Sequence, residues 1–268
     1  MTAWEKAEKL NPADAYTKRC MAQACFDHLS QPARALELMK QALELAPDNA
    51  RILYELLQME KNLGFSVKDR LHLLETHSEL AKMRDDCFLD EIILYTQDEQ
   101  YEKARELLLS KRFNIYEGGE GNLTKQHAWM HVLYANELAA AGKAAEAYQV
   151  YMNGVNMPKS YGEAKTWFNQ EAHIFYYLGT LLESLGKTKE AANAFEEAAV
   201  YKAAVSELSM FRALALRKLM RFSQAQQVLT EMLKSGDNLL KNKDMRSYYG
   251  VGSPTPMPFE YDIVKINS

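Results

Sequence analysis

Five small or aromatic residues, Gly179, Gly186, Ala191, Phe195 and Ala198, stand at intervals that recur elsewhere in the chain. Ala135, Gly142, Ala147, Tyr151 and Gly154 repeat the pattern upstream, and Ala213, Ala225, Leu229 and Met232 repeat it downstream. Ala35, Met39, Ala42 and Pro47 mark a further copy, Ala104 and Leu108 a weaker one. Between those two, Gly64 with Leu71, Leu73 and Leu74 reads as a degenerate copy carrying Asp69 in place of alanine. Apolar residues at helical spacing, small residues at fixed places and a period of about 34 residues describe a pair of antiparallel helices stacked many times over. Each pair leaves an apolar face that only its neighbour can cover, so the pattern predicts an all-α solenoid.

These residues resemble the tetratricopeptide repeat (TPR). In that family a small residue at position 8 of helix A lets helix B approach, alanines at 20 and 27 do the same from the other side, and a large apolar residue at 24 fills the gap. The resemblance implies a right-handed superhelix of antiparallel helix pairs. With the alanine of position 20 as a ruler, the copies fall at 35, 104, 147, 191 and 225. The step from 191 to 225 is 34, and the step from 35 to 104 is 69, or two periods. The steps of 43 and 44 on either side of Ala147 carry insertions of about ten residues, which the period assigns to loops on one face. Trp4, Ala7 and Pro12 fit positions 24, 27 and 32 of a repeat whose first helix is absent; the segment reads either as an orphan cap or as a cut through a longer array. The array is thus expected over 1–236, about six repeats with the first incomplete. Residues 237–268, rich in proline and aromatics around Tyr248, Tyr249, Met257, Pro258 and Phe259, read as an extended segment that either caps the array or recognises another protein.

Composition narrows the functional classes. The net charge of −4 gives no general attraction to nucleic acid or an anionic membrane. No apolar run approaches the ~20 residues needed to span a bilayer, and the N-terminus has no signal-peptide pattern. A cytoplasmic location is expected, with Cys20, Cys25 and Cys87 as free thiols. No serine elbow, CxxC pair or nucleotide fingerprint is present, and no cofactor is expected. His127 and His131 are four apart, a spacing able to bind a metal, and His173 belongs to the next helix A; without an HExxH pattern or a third ligand, a structural or solvent-facing role is expected.

Two places can carry binding. Positions 2, 5, 9 and 12 of helix A line the inner groove of such arrays, which assigns Trp129, Val132, Asn136 and Ala139, then His173, Tyr176, Thr180 and Glu183, then Glu207, Met210, Leu214 and Arg217. The wall is aromatic with little basic charge, unlike the Lys, Asn and Arg set that clamps a C-terminal carboxylate; only Asn136 fits that set. Trp129 and Tyr176 either stack on a ligand or are covered by neighbouring repeats. The second place is the pair of long loops, 112–124 and 157–168, which topology puts at one edge as spatial neighbours. They carry Tyr116, Glu117, Gly118, Gly119 and Glu120, and Tyr161, Gly162 and Glu163. The carboxylates would repel phosphate and favour a cation, an amine or sugar hydroxyls; the alternative is tight turns with helix-capping glutamates.

Loop Tyr116–Gly121, Tyr161-Gly162-Glu163, the run Ala172–Gly179 and the tail Tyr248–Pro254 are together similar to one group of bacterial TPR proteins, in which an uncharacterised, mutarotase-like β-rich domain precedes the array. The similarity spans residues 112–268. It implies a link to carbohydrate metabolism, with the β-rich domain of a longer parent chain as a partner. The leading expectation is a non-enzymatic scaffold that binds a protein or peptide, or its own parent domain, through the helix A concave groove and the two loops. The alternative is a carbohydrate-binding or glycoside-active module using Glu117, Glu120 and Glu163.

Overall fold

The computed structural model describes residues 2–114, 119–165, 171–201 and 205–241. Among them the chain is all-α, as the repeat pattern requires. Two compact units are present, Met1–Leu107 and Leu108–Ser268. Tyr116, Glu117 and Gly118, and the proline-rich tail with its aromatics, lie outside the described residues.

The first unit holds α1 (Thr2–Leu10), α2 (Ala15–Asp27), α3 (Pro32–Leu45), α4 (Ala50–Asn62), α5 (Val67–Thr76), the single turn α6 (Ser78–Ala81) and α7 (Asp85–Gln97). Helix α8 (Tyr101–Ser110) runs through the boundary. The second unit holds α9 (Asn122–Ala140), α10 (Ala144–Val155), α11 (Ala172–Ser184), α12 (Thr188–Val200), α13 (Ser209–Lys218) and α14 (Phe222–Lys241), with a 3-10 turn at Lys159–Tyr161. Helix α14 continues five residues past position 236, where the array was expected to end.

Every ruler position falls on the second helix of a pair: Ala35 on α3, Ala104 on α8, Ala147 on α10, Ala191 on α12 and Ala225 on α14. All five alanines are buried, whereas Asp69, at the same place on α5, is exposed and serves that helix differently. Its carboxylate closes a capping box with Ser66, accepting the Ser66 N–H at 3.2 Å while Ser66 Oγ accepts the Asp69 N–H at 3.1 Å. Helix α1, the lone second helix of the sequence pattern, packs on α2, with Trp4 set edge-on to Tyr16 at 6.2 Å.

The spacing of small residues has a direct steric reading. A Cβ on Gly179 of α11 would stand 2.6 Å from the Phe195 ring of α12, and one on Gly154 of α10 would stand 2.7 Å from the His131 Cβ of α9. The helices of these pairs are in backbone-to-side-chain contact, and the fully or nearly fully buried Val132, Ala135, Tyr151, Ile174 and Ala198 complete the core around them.

Each first helix ends in one residue with left-handed φ: Ser30, Gly64, Glu99, Gly142, Gly186 and Met220, at φ between 53° and 78°. That residue turns the chain so that a later N–H returns to a carbonyl five residues back, as in Phe65 to Glu60, Gln100 to Tyr95, Lys143 to Leu138, Lys187 to Leu182 and Arg221 to Leu216. Glycine occupies this conformation without cost, while Glu99 and Met220 occupy it against a Cβ clash. Replacing Glu99 or Met220 by Gly is expected to raise stability by about 0.5–1 kcal/mol in urea denaturation. Gly179→Ala is expected to lower it by about 1–3 kcal/mol, because overpacking against Phe195 outweighs the roughly 1 kcal/mol of helix propensity that alanine adds.

Candidate functional site

In the second unit the first helices α9, α11 and α13 lie side by side, α9 against α11 and α11 against α13. The register read from the sequence brings equivalent positions together: the Trp129 and His173 rings lie 4.5 Å apart and are tilted by 34°. Phe211 of α13 is the hub. Its ring stands 6.1 Å from Trp129, 5.9 Å from His173, 5.9 Å from Tyr176 and 5.5 Å from Tyr177. Tyr176 also reaches Phe195 at 6.0 Å. The result is a continuous aromatic sheet across three helices. Trp129, Tyr176, Tyr177 and Phe211 are half-buried, so each keeps part of its surface open while its neighbours hold the ring in place.

The expected wall residues divide by environment. Val132 and His173 are fully buried and take no part in a surface. Asn136 Oδ1 accepts the Tyr151 hydroxyl, and Thr180 Oγ1 donates to the Tyr176 carbonyl at 3.0 Å. Met210, Glu183 and Arg217 are exposed, and Leu214 and Ala139 are half-buried. Glu183 pairs with Lys218 of α13. Glu207 sits before α13 and pairs with Lys125 of α9 at 3.0 Å. Two members of the aromatic sheet, Tyr177 and Phe211, were missed in sequence: each is one residue beyond an assigned wall position. Helix α13 begins at Ser209, later than the period implies, but keeps the register: Phe211 and Met220 stand 34 residues after Tyr177 and Gly186, so Tyr177 and Phe211 share one repeat position.

The two long loops do meet, as the topology requires. The Phe113 N–H donates to the Tyr161 carbonyl at 2.8 Å, and the Gly121 N–H donates to Glu163 Oε1 at 2.6 Å. Their side chains, however, are turned into the fold. Tyr161 is only 1 % exposed, edge-on to Phe113 at 6.3 Å and to His127 at 5.4 Å. Glu163, nearly buried, sits at the N-terminus of α9, where the helix dipole and an otherwise unpaired N–H favour a carboxylate. Of the glutamates expected at this rim, Glu120 alone is described and exposed, with Gly119 buried beside it. A cavity of about 460 Å³ opens next to this junction, and Arg112, Lys159, Lys165 and Glu163 supply its charge. Lys165 is committed to Glu171 and to the Val155 carbonyl. Among the described residues the rim is therefore more basic than the sequence suggested.

The three histidines are interior groups, which fits the structural rather than the solvent-facing of the two roles expected for them. His127 Nε2 lies 3.0 Å from the Asn153 carbonyl and Nδ1 lies 3.3 Å from the Tyr161 hydroxyl, which assigns the proton to Nε2. His131 Nδ1 donates to the His127 carbonyl at 2.8 Å. His173 has no exposure and neither ring nitrogen has a hydrogen-bond partner. Burial lowers the pKa of both His127 and His173 to about 3, helped by His131 beside the first and Lys125 near the second. No group of three or more His, Cys, Asp or Glu among the described residues is arranged to hold a metal. No described helix is long and apolar enough to cross a membrane.

No family model matches the chain. Among solved structures it is similar to YrrB, a TPR protein with an unusual peptide-binding site, at 19 % identity over 75 % of this chain and 92 % of that one, with a TM-score of 0.51. It also matches residues 41 to the end of MamA from Desulfovibrio magneticus RS-1 (15 % identity, 70 % and 94 % covered, TM-score 0.45). A third match is the Cut9–Hcn1 hetero-tetramer of the APC/C (13 % identity, 90 % and 44 % covered, TM-score 0.47). Together with the helix pairs described above, the YrrB likeness establishes the fold as that of a TPR solenoid.

The buried histidines imply a pH dependence of known sign. Above the ordinary value of 6.5 both states are neutral and the contribution is flat. Below it the unfolded chain binds a proton that the folded chain refuses, so stability falls as pH falls, by about 1.4 kcal/mol per pH unit for each such histidine. His173→Phe should lose stability less steeply than the parent between about pH 6 and pH 4, by about that slope. Urea midpoints of both proteins across this range measure it, and parallel curves would show that His173 is already protonated or hydrated in the fold.

Proposed function

We propose that this chain is a non-enzymatic scaffold that binds a protein or peptide segment on the first-helix face of its second unit. The aromatic sheet of Trp129, Tyr176, Tyr177 and Phe211 carries the reading. These rings are preordered by one another, so they present apolar area with little entropy left to lose on binding. Half-buried aromatics of this kind dominate the energetics of protein interfaces. Around them, Met210 offers an adaptable apolar contact, and Asn136 and Thr180 a polar edge. Arg217 and the Lys125–Glu207 and Glu183–Lys218 pairs supply charge of both signs at the border. The fold is shared with YrrB, which is described as having a peptide-binding site, and that supports a peptide as the occupant. A domain of a longer parent chain is a partner of the same chemical kind.

The sugar reading draws no comparable support, since Tyr161 and Glu163, two of the residues it needs, are engaged inside the loop junction.

Selection of a random peptide library on the parent protein supplies the test ligands. Tyr176→Ala and Phe211→Ala are each expected to weaken the selected peptides by about thirty-fold, or about 2 kcal/mol. Equal affinity for the parent and both variants, with native spectra retained, would remove this face from the function.

A further inference from the structure

The first unit contains a second cavity that the scaffold reading does not use. Helices α3 and α5 are the second helices of successive pairs. Each packs on α4, and the space between them is a cavity of about 510 Å³. Its apolar walls are Leu43 and Pro47 from α3 and the turn after it, Leu56 from α4, Phe65 from the turn between α4 and α5, and Leu73 from α5. Its charged lining is Glu44, Glu60 and Asp69 against Lys40, with His72 and His77 at the α5 side.

Glu60 is the unusual member. It is 4 % exposed, and its Oε2 has no hydrogen-bond partner. The nearest cation, the Lys40 ammonium, stands 3.8 Å from Oε1, beyond hydrogen-bond reach, and half of that lysine side chain is in solvent while its ammonium leans over the Phe65 ring at 5.8 Å. Burial raises the Glu60 pKa against the pull of Lys40 and Arg70. A buried carboxylate with an unfilled acceptor is costly to a fold unless something else satisfies it. The terminal torsion of glutamate is soft and two-fold, so either oxygen can turn to the cavity that the residue lines.

We propose that this cavity binds an arginine side chain of a partner protein segment, its guanidinium on the Glu60 carboxylate and its methylene stem against Leu43, Leu56, Phe65 and Leu73. The charge complement favours a cation, with three carboxylates to one ammonium. The apolar walls favour a cation on a long hydrocarbon stem over a bare ion. The planar fork of guanidinium can engage both carboxylate oxygens where the Lys40 ammonium satisfies neither. The site lies between second helices of the first unit, so it is separate from the aromatic face of the second unit and stands or falls independently of it.

The test uses the full chain, labelled with ¹⁵N, and the probe Ac-Gly-Arg-Gly-NH2. The probe should shift amides in 40–47, 56–65 and 69–77, saturating in the millimolar range expected of a single anchor. The citrulline counterpart, which keeps the shape and loses the charge, should bind at least tenfold more weakly, as should the arginine probe on Glu60→Gln. Lys40→Met removes the competing ammonium and should tighten binding, which keeps the test decisive if Glu60→Gln does not fold. Equal shifts from arginine and citrulline, unchanged affinity in a folded Glu60→Gln, no gain in Lys40→Met, or no shifts in these segments would each overturn the proposal. Equal occupancy by guanidinium chloride at the same concentration would overturn the peptide occupant by showing a simple cation site.

Discussion

The steric contact between paired helices is the constraint from which the rest of this structure follows. Gly179 faces the Phe195 ring at a distance that leaves no room for a single added carbon, and Gly154 faces His131 in the same way. Where two helices come this close, the apolar surface between them is dry, and the dispersion contacts that reward the approach are dense. The pair so formed still has an uncovered apolar side, which the next pair must cover, and the chain is driven to repeat the motif.

What joins successive first helices differs between the two units. In the first unit the link is ionic and polar: Arg19 of α2 makes two hydrogen bonds of 2.5 Å to Glu55 of α4, and Gln58 of α4 bonds Asp90 of α7. In the second unit aromatic rings join the first helices instead. An ion pair of this kind fixes register and leaves little apolar surface at the face. A ring stack fixes register and leaves apolar surface that water covers poorly. This difference is the physical reason that the binding proposal rests on α9, α11 and α13. The unpartnered His173 beneath the stack fits the same picture: a flat neutral ring fills the layer between Trp129 and Phe211, and its nitrogens go unsatisfied as the cost of that packing.

Much of the fold was legible because the repeat imposes itself on residue size. The five ruler alanines, two of whose steps carry insertions, all came to lie on second helices, and even the exception, Asp69, fell in register and found other work as a capping residue. The junction of the two long loops was legible from topology alone, since equivalent connections in a ladder emerge on the same side. The site was less legible. The register of its helix A positions is kept through α9, α11 and α13, so that Trp129 meets His173, but the expected wall included the buried Val132 and His173 and left out the position that Tyr177 and Phe211 share. A period identifies equivalent positions and carries no information about which of them neighbouring helices cover. The loop side chains were read either as ligand contacts or as turn residues with helix-capping glutamates; Glu163 took the capping role at α9, and Tyr161 turned inward because His127 and Phe113 offered it partners that lie far away in sequence.

The amino-acid sequence by itself determined the class of fold, the place of the close helix contacts and the number of residues in each repeat, because these depend on side-chain volume at short and regular separations. Tertiary structure decided which polar groups are spent inside the fold and which stay open. Glu163 closes a helix, His173 is sealed between rings, and Glu60 is left with an unfilled oxygen beside a cavity. Those outcomes depend on how helices distant in the chain approach one another, since a carboxylate or an imidazole has the same local sequence signature whether a donor waits for it across the packing or not.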